Sequence, residues 1–242
     1  HVEAPTNGSI ILAALLLKIG GYGMYRVVYS LFPMEGLMFN YAIVGILIIS
    51  YIYSTVLAIR QVDVKRFIAY TSISHMNFSL IGLFSGYEIG ISGFVHTMLS
   101  HGIISTGLFY LIGYLYSNVG YRDSIRLSGL SETVPVFSVV WFIFSIANLG
   151  LPLFSGFPGE FFVICSITAY NVYLTPIIFL GFFLSGVYIF FQLNKFLFGL
   201  NQLVTNQKIS DLGSEALSVC VFLIFWSVVL GLFPSIVINS IF

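Results

Sequence analysis

A chain of 242 residues that is 58% hydrophobic and 7% charged is no ordinary soluble domain, in which about 25% of residues carry charge. Nine Lys and Arg balance nine Asp and Glu, so net charge singles out no polyanionic or polycationic partner. Cys165 and Cys220 sit in apolar runs with no CxxC or Cys/His spacing, which leaves no readable disulfide, zinc or iron–sulfur framework and makes both small core residues. The sequence opens on His1-Val2-Glu3-Ala4-Pro5 rather than on Met, which reads as a cleaved product or a fragment.

Seven apolar stretches can be drawn, over residues 9–30, 37–60, 64–86, 89–117, 136–170, 172–199 and 217–240, in a single transmembrane domain that takes up 1–242. They are continuous rather than alternating, so they predict membrane helices and not barrel strands. The expected fold is therefore all-α, with about seven transmembrane helices. If these alternate in direction, Arg60, Lys65, Arg66, Arg122, Arg126, Lys195 and Lys208 share one side and Arg26 is left on the other. Basic residues mark the matrix or cytoplasmic side, so the N-terminus is expected there and the C-terminus opposite.

The first stretch carries Lys18 near its middle, too far from either end for easy snorkelling. A central Lys costs roughly 3 kcal/mol before any partner is counted. Either a neighbouring carbonyl caps the amine, or it works inside the membrane as a proton or ion site facing the bundle interior.

The third and fourth stretches supply three histidines, His75, His96 and His101. A spacing of five residues turns His96 and His101 about 140° apart on one helix, so they make a poor metal pair. Histidine titrates near neutral pH, and three of them in consecutive helices point toward a proton relay.

The fifth stretch would be about 52 Å long as one helix, more than a bilayer needs. Its centre reads Asn148-Leu149-Gly150-Leu151-Pro152-Leu153-Phe154-Ser155-Gly156-Phe157-Pro158-Gly159-Glu160, and two prolines with three glycines cannot sustain a helix. A break near 150–159 is expected, buried in protein or lining a watery cavity. Glu160 follows it, where the N-terminal dipole of a second half-helix favours a carboxylate. Broken helices with ionisable groups beside them point to transport sites. In the sixth stretch, Lys195 is placed to snorkel to the interface.

Several runs of residues resemble a known family. His1-Val2-Glu3-Ala4-Pro5-Thr6, Leu15-Leu16-Leu17-Lys18-Ile19-Gly20-Gly21-Tyr22-Gly23-Met24 and Arg60-Gln61-Val62-Asp63-Val64-Lys65-Arg66-Phe67-Ile68-Ala69-Tyr70 are similar to the antiporter-like proton-pumping subunits of NADH:ubiquinone oxidoreductase (complex I), in particular the subunit 4 type. So are Ser74-His75-Met76, Ser100-His101-Gly102 and Gly159-Glu160-Phe161. The resemblance implies the C-terminal half of a fourteen-helix fold built on two inverted five-helix repeats, each with a broken helix. It implies that Lys18 matches the central lysine of the family's eighth helix, that Glu160 matches the acid of the broken twelfth, and that His75 and His101 match polar-axis histidines of the tenth and eleventh. A glutamate at position 160 separates this chain from the subunit 2 and subunit 5 types, where a lysine is usual. His96 has no counterpart carried over from subunit 4.

The family's first seven helices are missing from the sequence, so the expected partners are other membrane-arm subunits, a separate chain carrying the N-terminal half, and lipids, with no nucleic acid. The alternative is that only the C-terminal part of a longer subunit is present. The implied function is a proton-translocating part of a respiratory NADH:ubiquinone reductase in the mitochondrial inner membrane, or in a bacterial plasma membrane. Lys18, Glu160, His75 and His101 would carry the proton. With no Gly-rich fingerprint or Cys cluster, the chain is expected to bind no cofactor, and NAD, FMN, iron–sulfur clusters and ubiquinone fall to partner subunits. A cation/proton antiporter subunit and a structural scaffold without pumping are the rival readings.

Overall fold

The computed structural model describes residues 1–28, 31, 33–199 and 210–239, with the backbone alone for 33–38. Lys208, counted above among the basic connections, lies outside the described residues, as do positions 29–30 and 240 at the ends of the first and last predicted stretches. The described chain is helical, and its only strand-like feature among these residues is an isolated bridge between Asp63 and Asp123.

Helix α1 runs over Thr6–Val28, α2 over Pro33–Ile59, α3 over Val64–Phe84 and α4 over Glu88–Val119. A short turn, α5 (Leu130–Thr133), leads into α6 (Pro135–Asn148), and α7 (Gly156–Tyr170) follows after a gap. Then come α8 (Thr175–Leu197), α9 (Ser214–Leu232) and the short α10 (Ser235–Ile238). Six of these elements, α1 to α4, α8 (with the turn before it) and α9, are long and apolar enough to cross a membrane. Helices α3 and α4 form the centre and are mostly buried, whereas α1, α2, α8 and α9 leave most of their surface outside the protein. An apolar surface of that extent suits lipid or further protein, because in hydrocarbon it costs nothing to expose.

The fifth stretch is two helices, not one. Pro135 opens α6 at a position where its missing N–H is no loss. The helix ends at Asn148, Gly150 takes a left-handed φ of 73°, and α7 restarts at Gly156 with Pro158 in its first turn. Leu153 also has a positive φ, 93°, a strained conformation for a branched side chain. At 14 and 15 residues, α6 and α7 are about 21 and 22 Å long and cross the ~30 Å core only together. Of the irregular backbone between them, Leu151 to Leu153 are exposed, whereas Ser155 and Gly156 are buried. Gly231 of α9 packs so closely on the Leu153 carbonyl that a Cβ there would overlap it.

The close crossing of α4 and α7 depends on glycine as well. A Cβ on Gly159 would sit 2.8 Å from the Thr97 amide nitrogen, and one on Gly93 would sit 2.8 Å from that of Val163. With no side chain at either point, the two backbones approach to a distance that locks α7 against the centre.

On the N-terminal side, the connections are tied to one another. Asp63 caps α3 by accepting from the Lys65 and Arg66 amides at 2.8 and 3.3 Å. Backbone bonds Val64 N to Arg122 O (3.0 Å) and Ser124 N to Val62 O (2.8 Å) join the start of α3 to the chain after α4. Lys65 donates to the Ala4 carbonyl and Arg122 to that of Val2, so two basic residues hold the Val2–Ala4 segment in place. Arg60, Lys65, Arg66, Arg122, Arg126 and Lys195 all lie at helix ends or connections on this side, and Arg26 is at the far end of α1.

Asp211 reaches from the chain before α9 to accept from the Val136 and Phe137 amides, both at 2.9 Å, and so caps α6 from a distance. Asp211→Ala removes both bonds and is expected to cost about 1 kcal/mol. A lower melting temperature of the assembled protein checks this, with Asp211→Asn keeping part of the difference.

Candidate functional site

Four of the polar side chains singled out from the sequence meet at membrane depth, each brought by a different helix. Lys18 lies on α1, His101 on α4, His75 on α3 and Glu160 on α7. Lys18 Nζ is 2.8 Å from His101 Nδ1. The rings of His101 and His75 are 5.6 Å apart between centroids. His75 Nδ1 lies 3.4 Å from Glu160 Oε1. The result is a continuous file of titratable groups, with the carboxylate at one end and the amine at the other.

The file is well sheltered. His101 is 4% exposed, Glu160 6% and His75 9%. Charges and polar groups in such surroundings are tolerated only when paired. Lys18 has a second partner, the Ala13 carbonyl, so the capped-amine and interior-site readings both describe it. Ala13 lies in a π-turn over residues 12–16 of α1, where backbone bonding runs from i to i+5. No proline or glycine in Leu12–Leu16 announces the turn.

Two glycines border the site. A Cβ on Gly102 would make only ordinary van der Waals contact with the Ala14 carbonyl at 3.5 Å and with Lys18 Cε at 3.7 Å, so the approach of α1 to α4 does not depend on this glycine. Gly150 faces the Glu160 carboxyl so closely that any side chain at 150 would displace it, with the carboxyl carbon only 2.8 Å from an added Cβ. Tyr51 and Tyr188, both buried, lie within electrostatic range of Glu160 and were not singled out from the sequence, where aromatic residues in apolar runs carry no such signal. At the other end, Lys18 borders a cavity of about 410 Å³ lined also by Tyr22, Tyr25, Arg26, Phe94 and Met98. His96 stands apart from the file, buried against the backbone of Ser155 at the break.

Fold and site together define a multi-pass helical membrane protein of the antiporter-like type, with a broken helix whose carboxylate joins a buried polar file. Residues 1–187 match the transmembrane region shared by NADH:quinone oxidoreductases and Mrp antiporters, and the chain belongs to that family. Among curated relatives, NADH-quinone oxidoreductase subunit M of Rickettsia prowazekii is 38% identical over 242 residues, 99% of this chain and 49% of that protein. NADH-ubiquinone oxidoreductase chain 4 of Chondrus crispus is 38% identical over 244 residues, 100% of this chain and 49% of that protein. The chain thus spans about half the length of the curated relatives it matches.

Solved structures agree on the architecture. Respiratory complex I from Thermus thermophilus matches 90% of this chain and 46% of its own with a TM-score of 0.85 at 26% identity. The membrane-bound sulfane sulfur reductase, an archaeal respiratory membrane complex, matches 98% of this chain and 48% of its own with a TM-score of 0.86, again at 26% identity.

Proposed function

We propose that this chain is the C-terminal portion of a proton-translocating membrane-arm subunit of a respiratory NADH:quinone oxidoreductase. The observation that carries the reading is the unbroken sequence Lys18, His101, His75, Glu160 across four helices. Each member can hold or release a proton, and each lies next to another that can do the same. A proton on Lys18 can pass to His101, move to His75 by rotation of the rings or through one bridging water, and arrive at Glu160. A change of charge at either end of the file shifts the proton affinity of the next group, which is how a distant redox event would drive the transfer.

Under this reading the chain does no redox chemistry itself, and NADH, flavin, iron–sulfur clusters and quinone belong to partner subunits. The basic residues gathered beside the N-terminus support a reading in which that side faces the matrix of a mitochondrion, or the cytoplasm of a bacterium. The length of the relatives, together with the exposed face of α1 (Ile11, Leu15, Ile19, Tyr22), calls for the other half of the subunit to pack there, as part of a longer chain or as a separate one.

The test uses the assembled complex in sealed vesicles, with proton movement and quinone reduction recorded side by side. His101→Gln keeps a hydrogen-bonding group beside Lys18 but cannot take up a proton. Protons moved per electron should fall by half or more while assembly persists. Normal pumping by that assembled variant would overturn the relay and favour a scaffold. Cation-dependent proton exchange in the absence of NADH and quinone would favour the antiporter reading.

A further inference from the structure

His96 takes no part in the file, although it is more deeply buried than any of its members, at 1% exposure. It lies five residues before His101, so the two rings leave α4 about 140° apart. His101 turns to α1 and α3, while His96 turns to the break, where its ring rests against the backbone of Ser155. Neither ring nitrogen completes a hydrogen bond of good geometry.

Other groups around the break share that condition. Thr97 Oγ1, Ser155 Oγ and Glu160 Oε2 are all buried without a hydrogen-bond partner among the described residues. Thr97 packs on Gly159, the neighbour of Glu160, and the Glu160 carboxyl itself faces Gly150 inside the break. Helix α4, the break and α7 therefore each bring unpaired polar atoms to the region where they pack together. Folded proteins pair roughly nine in ten of their buried polar atoms, so a cluster of unpaired ones marks a place where small polar molecules complete the bonding. Irregular backbone at membrane depth is tolerated where it is buried in protein or lines a watery space. Within the cluster, histidine is the side chain that gains and loses a proton near neutral pH.

We propose that His96 is a proton-carrying residue that accepts from Glu160 across a hydrated break, on the side of the carboxyl away from His75. In the transfer, the Glu160 O–H bond breaks and its proton moves, through the Ser155 hydroxyl or a water molecule, to a ring nitrogen of neutral His96. A carboxylate and an imidazolium remain. The imidazolium then gives its proton to water toward the face where α4 begins, about 12 Å away along the helix, and His75 refills Glu160. The titratable groups near this route are Glu160 on α7, His75 on α3 and His101 on α4 itself, with Tyr51 and Tyr188 within electrostatic range of Glu160.

The inference rests on the proton-translocating reading, and its test keeps the two apart. His96→Gln and His101→Gln are compared in the assembled complex in vesicles. Glutamine restores hydrogen bonding at position 96 but cannot carry charge. A relay role therefore predicts protons per electron lowered by half or more in His96→Gln, and a packing role predicts wild-type pumping. If His101→Gln pumps poorly and His96→Gln pumps normally, the His96 inference alone is overturned. If His101→Gln pumps normally, the relay reading itself falls. Should His96→Gln fail to assemble, an experimental structure of the unaltered complex decides. Ordered water within hydrogen-bonding distance of both a His96 nitrogen and Glu160 Oε2 would support the route, and a dry contact around His96 would overturn it.

Discussion

Lys18→Ala should leave the complex assembled and reduce protons moved per electron by more than any other single change in the file, with coupled quinone reduction slowed alongside. Lys18 lies beside His101 and contacts Ala13 of its own helix, so its removal takes one proton carrier from the end of the file and leaves His101 Nδ1 and the Ala13 carbonyl without this partner. An alanine there fills little volume, but the site borders a cavity that already opens along α1. Lys18→Arg discriminates further. Guanidinium keeps its proton at any accessible pH, so it can satisfy the Ala13 carbonyl and still fail to exchange with His101. A structural amine gives the reverse pattern, with assembly lost in Lys18→Ala and largely kept in Lys18→Arg. Proton uptake and quinone reduction measured together in vesicles separate the two. Full pumping in an assembled Lys18→Ala complex would mean that the file does not begin at this residue.

How far the sequence discloses this site differs from residue to residue. The position of Lys18 in the middle of an apolar run is visible because a charge there is costly and rare. The break is visible because Pro152, Pro158 and the flanking glycines cannot be absorbed into a helix. What the sequence withholds is which of these residues touch. His96 and His101 have similar local surroundings in the chain, and only the packing of α4 between α1, α3 and α7 assigns His101 to the file and His96 to the break. The π-turn before Lys18 is hidden for a related reason. Leu12-Ala13-Ala14-Leu15-Leu16 has ordinary helical propensities, so the extra residue in the turn reflects tertiary constraint rather than local preference. Gly150 looks like any other glycine in a loop until the neighbour that takes the place of its side chain is known. Elements whose cause is local are legible, then, and contacts whose cause lies on another helix are not.

Gly150→Ala is the second change with a large expected effect, and its partner at 160 makes it informative. Residue 150 takes a left-handed backbone, which costs a non-glycine residue about 1 kcal/mol or more. The added methyl would also overlap the Glu160 carboxyl, which is held between this backbone and His75. The carboxyl must move, which draws Oε1 from its place 3.4 Å from His75 Nδ1. The variant should therefore lose both stability and pumping. Glu160→Ala alone should lose pumping while keeping assembly, because α7 is anchored to α4 through Gly93, Thr97, Gly159 and Val163 rather than through the carboxyl. In the double variant Gly150→Ala/Glu160→Ala, the overlap is gone and only the backbone strain remains. Its melting temperature should then recover most of what Gly150→Ala lost, while pumping stays low. Two independent effects would instead add, leaving the double variant less stable than either single one. That outcome would show that Gly150 serves only the shape of the break and that the close contact with Glu160 has no part in holding the carboxyl against His75.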